Sequence, residues 1–259
     1  SADRSKCLFF GQPNETLNGC KMSEKKRFVC VNCGHRVKEL FKKYSNTMKT
    51  TQCDNCHQIT DKYIEFEEFI ILIDALLLDS CAFRHIIYNG DFKLYWKVSL
   101  VVLLLESFAL CRQKLPDPPN ASLHVHEKGF YTYTLQNMGD YMFMTLLLLI
   151  ITATLSIDWM QKIGFRNFSL IILKVVLISN LSKFFLLPIL VWRNNTTVFG
   201  RNLHHLLVMG HHLCSLVLAY QAVGATRKNL RWWALTLVVI AFAFKETARQ
   251  FVSLVVEDN

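Results

Sequence analysis

From residue 92 onward the chain reads as long apolar runs separated by short polar stretches. A helix needs about twenty mostly apolar residues to cross a bilayer. Five runs meet that length: Phe92–Cys111, Tyr141–Met160, Phe168–Trp192, Leu203–Val223 and Leu230–Phe251. Trp96, Trp159, Trp192, Trp232 and Trp233 fall near their ends, where interfacial anchors belong. Pro188 is expected to kink the end of the third run. Residues 67–89 differ, because their apolar run is short and carries Asp74 and Asp79. Wound at 100° per residue, Phe69, Leu72, Ile73, Leu76, Phe83 and Ile87 fall on one side. Glu67, Asp74, Cys81, His85 and Asn89 fall on the other. The pattern predicts an amphipathic linking helix at the membrane surface or beneath the preceding domain. A spanning helix with its acids turned toward protein is the alternative.

Residues 28–66 alternate in strand fashion. Phe28, Val29 and Val31 lead into a first turn, and Val37–Tyr44 with Met48–Gln52 predict a hairpin through Ser45-Asn46. Lys62-Tyr63-Ile64-Glu65-Phe66 reads as a last strand. Few large apolar residues are available here, so a core this small needs a metal to fold. The predicted organisation is a leader over 1–27, a small β ribbon over 28–66, the linking helix over 67–89 and a helical membrane region over 90–259. The fold class is therefore mainly α: a polytopic bundle of about five spans carrying a small N-terminal ribbon.

The cysteines sharpen this picture. Four of the nine form two close pairs, Cys30-Val31-Asn32-Cys33 and Cys53-Asp54-Asn55-Cys56. Two residues between thiolates let one tight turn offer both sulfurs to one ion, and two such turns complete a tetrahedron. Gly34 follows the first pair, where such a turn needs positive φ. Structural zinc on Cys30, Cys33, Cys53 and Cys56 is the expectation. His35 and His57 each follow a pair, but four thiolates already close the site. A closed site has no open position for a reactive water, which points to structure and away from catalysis.

Charge adds little. The chain carries a formal net charge of +9 with 52% hydrophobic residues. The basic excess fits positive flanks of membrane spans, and no nucleic-acid partner is expected. Before the ribbon the longest apolar stretch is Leu8–Phe10, so the ribbon is expected on the cytosolic side. With the linking helix on the surface, Asn120-Ala-Ser and the overlapping sequons at Asn194 and Asn195 fall in the lumen, and the sequon at Asn14 stays in the cytosol.

Charges inside the runs are costly and therefore informative. Lys97, Glu106, Lys174, Lys183, Lys245 and Glu246 are the ones present. Lys174 and Lys183, with Asn180 and Ser182, give the third run a polar stripe that could meet a lipid head group, a partner subunit or another group of the bundle. His204, His205, His211 and His212 invite a metal-enzyme reading. Members of each stack lie seven residues apart, about 10 Å along a helix, too far to share one ion. No phosphate loop, nucleophile elbow or H-E-x-x-H motif is present, and no catalytic residue is expected. His85, with Asp74 and Arg84, could form a polar site or a helix face of local ion pairs.

The paired cysteines, then Asp61-Lys62-Tyr63-Ile64-Glu65-Phe66, then an apolar segment ending Phe83-Arg84-His85-Ile86-Ile87-Tyr88-Asn89, together resemble the Arv family of endoplasmic-reticulum lipid-homeostasis proteins. The likeness is specific over 28–89 and looser beyond, as in Lys183–Trp192. It implies residence in the endoplasmic-reticulum membrane, sterol distribution and early GPI-anchor synthesis. It also implies zinc on the four cysteines, and marks Tyr63, Asp74, Arg84, His85 and Asn89 as further positions to test. Membrane lipids, a sterol or a GPI precursor are the expected ligands. The competing expectation is a non-catalytic accessory subunit of an endoplasmic-reticulum glycosyltransferase complex.

Overall fold

The computed structural model describes residues 28–44, 47–114, 123–186, 198–224, 236 and 238–243. The leader, every sequon asparagine, Pro188 and the tryptophans at 192, 232 and 233 lie outside them.

The ribbon contains two antiparallel strand pairs. β1 (Phe28–Val29) pairs with β2 (Arg36–Val37), and β3 (Phe41–Tyr44) pairs with β4 (Thr47–Thr50) in the register Phe41 opposite Thr50. The hairpin falls where alternation placed it. The expected last strand does not form. Lys62–Glu65 is a turn of 3-10 helix, started by Asp61, whose carboxylate accepts from the Tyr63 N–H at 2.9 Å. An aspartate that caps its own following turn competes with strand pairing, and this one prevails.

The expected linking helix is also corrected. It is three pieces: α1 (Glu68–Leu76), α2 (Ser80–Arg84) and a π-turn over His85–Asn89. Leu78 takes φ +66° between the first two. Asp79 then restarts the chain as an N-cap, accepting from the Cys81 N–H at 2.9 Å. The break rotates the faces. Phe69 and Ile73 of the predicted apolar side are exposed, while Ile71 and Ala75 are buried. His85 and Asn89 of the predicted polar side turn into the ribbon.

Four described helices are long and apolar enough to cross a membrane, with spans at Lys93–Arg112, Lys128–Leu155, Phe165–Phe185 and Leu206–Val223. They belong to α3 (Lys93–Lys114), α4 (Leu123–Leu155), α6 (Phe165–Asn180, continued by 3-10 helix over Leu181–Leu186) and α7 (Val198–Gly224). A short α5 (Ile157–Ile163) turns at Gly164, φ +84°, into α6. The stretch between the first two predicted runs is helical from Leu123. The fifth predicted run lies mostly outside the described residues, although 238–243 is helical and seats Val238, Ala241 and Phe242 in the core.

That core is one continuous cluster. Leu148 of α4, Phe168, Ile172 and Val175 of α6, and Leu216 and Tyr220 of α7 meet Phe83 and Ile86 of the linking segment. Outward, Leu104, Met142, Leu146, Ile150, Leu206 and Leu207 are exposed. Apolar inside and apolar outside is the pattern of a chain whose solvent is lipid. The protein is a multi-pass membrane protein.

Candidate metal centre and its seat on the bundle

Each cysteine pair sits in the same local loop. The Cys30 N–H donates to the His35 carbonyl at 2.8 Å, and the Gly34 N–H donates to the Cys30 carbonyl at 2.9 Å. In the second loop the Cys53 N–H donates to the Gln58 carbonyl at 2.9 Å, and the His57 N–H donates to the Cys53 carbonyl at 2.8 Å. Gly34 and His57 are thus equivalent positions, with φ +77° and +59°. The glycine was legible. The histidine makes the second left-handed turn.

The two loops bring Cys30, Cys33, Cys53 and Cys56 together, their sulfurs all within 4.8 Å of one another. Cys30 Sγ lies 3.8 Å from Cys56 Sγ, and Cys33 Sγ lies 3.7 Å from Cys53 Sγ. A tetrahedral ion with metal–sulfur bonds of about 2.3 Å has sulfur–sulfur edges near 3.8 Å. The donor set and its spacing therefore fit one tetrahedral cation, and no pair is a disulfide. Burial pushes the Cys30 thiol up to about 12. At Cys33 burial also raises the thiol, but hydrogen bonds from the His35 backbone and the Asn55 side chain outweigh it and bring the group to about 7. Among the described residues no other group of three or more Cys, His, Asp or Glu is arranged to hold a metal ion.

The ribbon is clamped to the linking segment. Asp61, fully buried, receives His85 Nδ1 at 2.7 Å and Asn89 Nδ2 at 2.7 Å on one oxygen. Asn89 also donates to the Val29 carbonyl at 2.8 Å and accepts from the Val29 N–H at 3.0 Å. Arg84 donates through Nη1 to the Val31 and Asn32 carbonyls of the first cysteine loop, the latter at 2.8 Å. The Tyr63 hydroxyl lies 2.9 Å from an Asp74 oxygen and 2.8 Å from an Asp79 oxygen and shares its one proton between them, and Lys62 donates to Asp79 at 3.0 Å. Burial, then the two carboxylates, hold the Tyr63 hydroxyl far above its usual range. At Asp79 burial is outweighed by the Cys81 N–H, Lys62 and Tyr63, and its carboxyl falls below the ordinary value.

All five of Tyr63, Asp74, Arg84, His85 and Asn89 are therefore brought together, but not as the trio His85, Asp74 and Arg84. The structure pairs His85 with Asp61, Asp74 with Tyr63, and Arg84 with the cysteine loop. Asp61 is the residue sequence reasoning passed over, although its place one residue before Lys62-Tyr63 marks it as a turn cap.

Lys174 and Lys183 are turned inward, whereas Lys97 is exposed; Lys245 and Glu246 lie outside the described residues. Lys174 Nζ donates to the Ile87 carbonyl at 3.1 Å and lies 5.1 Å from the Phe92 ring centroid. Lys183 Nζ reaches both Glu106 oxygens at 2.8 Å, and Tyr141 donates to the same carboxylate at 3.3 Å. The histidines are spread apart. His211 Nε2 lies 2.9 Å from the Leu76 carbonyl, His212 Nδ1 lies 3.0 Å from the Ser179 carbonyl, and His204 Nε2 lies 3.4 Å from the Phe185 carbonyl.

The model of the Arv1-like family matches residues 29–216. Among curated proteins, Protein ARV1 of Mus musculus is 26% identical over 222 residues, covering 82% of this chain and 78% of that protein. Protein ARV1 of Homo sapiens is 27% identical over 179 residues, covering 66% of this chain and 64% of that one. Protein ARV 2 of Arabidopsis thaliana is 38% identical over 104 residues, 37% of this chain and 46% of the plant protein. No solved structure matches the chain significantly.

Proposed function

This chain belongs to the Arv1-like family, and from that membership we propose that it serves lipid homeostasis in the endoplasmic-reticulum membrane, supporting sterol distribution and early GPI-precursor handling without catalysing a reaction of its own. The four cysteines hold a structural zinc ion, and the ribbon they close faces the cytosol. The observation that carries this reading is the clamp. The polar residues that a catalytic reading would draw on are committed to fastening a metal module onto the entry of the first span. Four thiolates leave zinc no position for a reactive water. A rigid module at the mouth of a lipid-facing bundle suits holding or passing a lipid better than turning it over.

Reconstituted with zinc, the full chain should raise the rate at which labelled sterol exchanges between vesicles. The Cys30→Ser/Cys53→Ser double variant should lose one zinc per chain and that exchange together. An exchange rate indifferent to the protein would defeat the lipid reading, and wild-type chain purified without stoichiometric zinc would defeat the metal reading.

A second reading has its own support. Tyr44 and Ile59, at two ends of the ribbon, each lie about half exposed, as apolar contacts with a protein partner would. For an accessory subunit of a glycosyltransferase complex, Tyr44→Ala/Ile59→Asp should abolish detergent co-purification while zinc content holds. Arg84→Ala and His85→Ala are poor probes of docking, because both undo the clamp.

A further inference from the structure

A cleft of about 270 Å³ opens between the ribbon, the start of α1, the π-turn and the first turn of α3. Phe28, Phe41, Phe66 and Ile71 give it apolar walls. Two polar groups of its lining are not used by the fold. Tyr95 is 2% exposed, and its hydroxyl has no hydrogen-bond partner among the described residues. A buried hydroxyl left unpaired costs about 1–3 kcal/mol, so it calls for a partner. His85 bonds Asp61 through Nδ1 alone. The carboxylate accepts, so Nδ1 carries the proton and a neutral ring keeps Nε2 as an acceptor.

Gly90 leaves room at that nitrogen. Its backbone is ordinary extended chain, φ −79° and ψ 164°, which any residue adopts. Yet a Cβ there would stand 3.0 Å from His85 Nε2. Its lack of a side chain keeps Nε2 uncovered.

The lining selects for charge as well. Glu68 and Asp91 lie in it, and no lysine or arginine does, so an anionic head group would be repelled. An acceptor and a donor lining one cleft suit a neutral hydroxyl, which offers one of each. Position selects for lipid. Tyr95 is the third residue of the first span, and Phe66, Phe69 and Ile70 are exposed around the start of α1. The volume takes a head and the first part of an apolar body, with the remainder left to the bilayer.

We propose that this cleft binds the hydroxyl end of an uncharged lipid alcohol, the hydroxyl donating to His85 Nε2 and accepting from Tyr95, with the apolar body leaving past Phe66 and the first turn of α1. The proposal rests on the lipid-handling reading and names its site.

Two probes distinguish sources of that chemistry: radiolabelled cholesterol and radiolabelled diacylglycerol, each offered to zinc-loaded full chain in detergent, with phosphatidic acid as competitor. Saturable binding of one alcohol is expected. Tyr95→Phe should weaken it about three- to tenfold, the worth of one hydrogen bond, and Gly90→Ala should weaken it more, zinc content unchanged. Wild-type binding that both variants retain in full would overturn the site and leave the lipid reading standing. Equal competition by phosphatidic acid would overturn the proposed ligand class. Binding of neither alcohol by wild type would remove the site, and sterol exchange that persisted in the same preparation would keep the function. Should Gly90→Ala fail to fold, Tyr95→Phe, which removes a single oxygen, still decides.

Discussion

His57 shows how one residue can be read two ways. Next to a cysteine pair it looks like a spare ligand; in the fold it sits at φ +59° in the place Gly34 fills in the sister loop. Non-glycine residues hold that conformation at a cost of about 1–2 kcal/mol, least for Asn, Asp and His, most for β-branched side chains. Because the ribbon folds around its metal, strain in the loop should appear as metal retention. His57→Gly should keep zinc at least as well as wild type against a competing chelator. His57→Val should release it about ten times more readily. A ligand role predicts the opposite order for glycine, with loss of metal on removal of the imidazole. The same measurement therefore tells a backbone role from a coordinating one.

At the scale of elements, legibility followed the length of the signal. The cysteine loops and the β3–β4 hairpin were readable because each is local: a spacing of two residues, or an alternation closing on Ser45-Asn46. The linking segment was misread because its apolar periodicity runs unbroken through Leu76-Leu77-Leu78, while the stop is carried by one side chain. Asp79 caps α2 and also receives Lys62 and Tyr63, so the break in the helix and the seat of the ribbon are the same event. The clue was there: an aspartate before serine in the middle of an apolar run is an N-cap. What no local pattern could show is that Asp61, His85 and Asn89 converge across 24 and 28 residues of chain. Asp79→Ala should therefore cost more than a helix cap alone, which is about 1 kcal/mol. Hydrogen exchange should speed both at Cys81–Phe83 and at Lys62–Phe66. Asp79→Asn, which keeps an accepting oxygen, should spare the helix start and loosen mainly the ribbon side. Faster exchange confined to α2 would mean that Asp79 is a cap and nothing more.

The whole molecule is held from the far side by a contact 77 residues long in sequence. Glu106 of α3 and Lys183 at the end of α6 meet at 2.8 Å, each side chain about nine-tenths buried, with Tyr141 of α4 donating to the same carboxylate. The sequence named both charges as anomalies inside apolar runs but gave no reason to join them, since nothing local links positions in different helices. In a bilayer the pairing is what allows either to be there. Two charges desolvated together roughly offset their loss of water, whereas one alone does not. Removing Lys183 as Lys183→Met should therefore lower stability by about 3–5 kcal/mol, and Glu106→Leu should do the same, each read as an earlier unfolding midpoint in detergent. The double variant should recover most of the loss, because lost attraction and recovered desolvation nearly cancel. Its lipid exchange then separates two roles that stability cannot. A double variant that melts like wild type and still exchanges sterol makes the pair a strut. One that melts like wild type and fails to exchange makes the buried charge part of the lipid's path. If either single variant melts like wild type, these groups are solvated inside the bundle, and water, not the partner charge, sustains them.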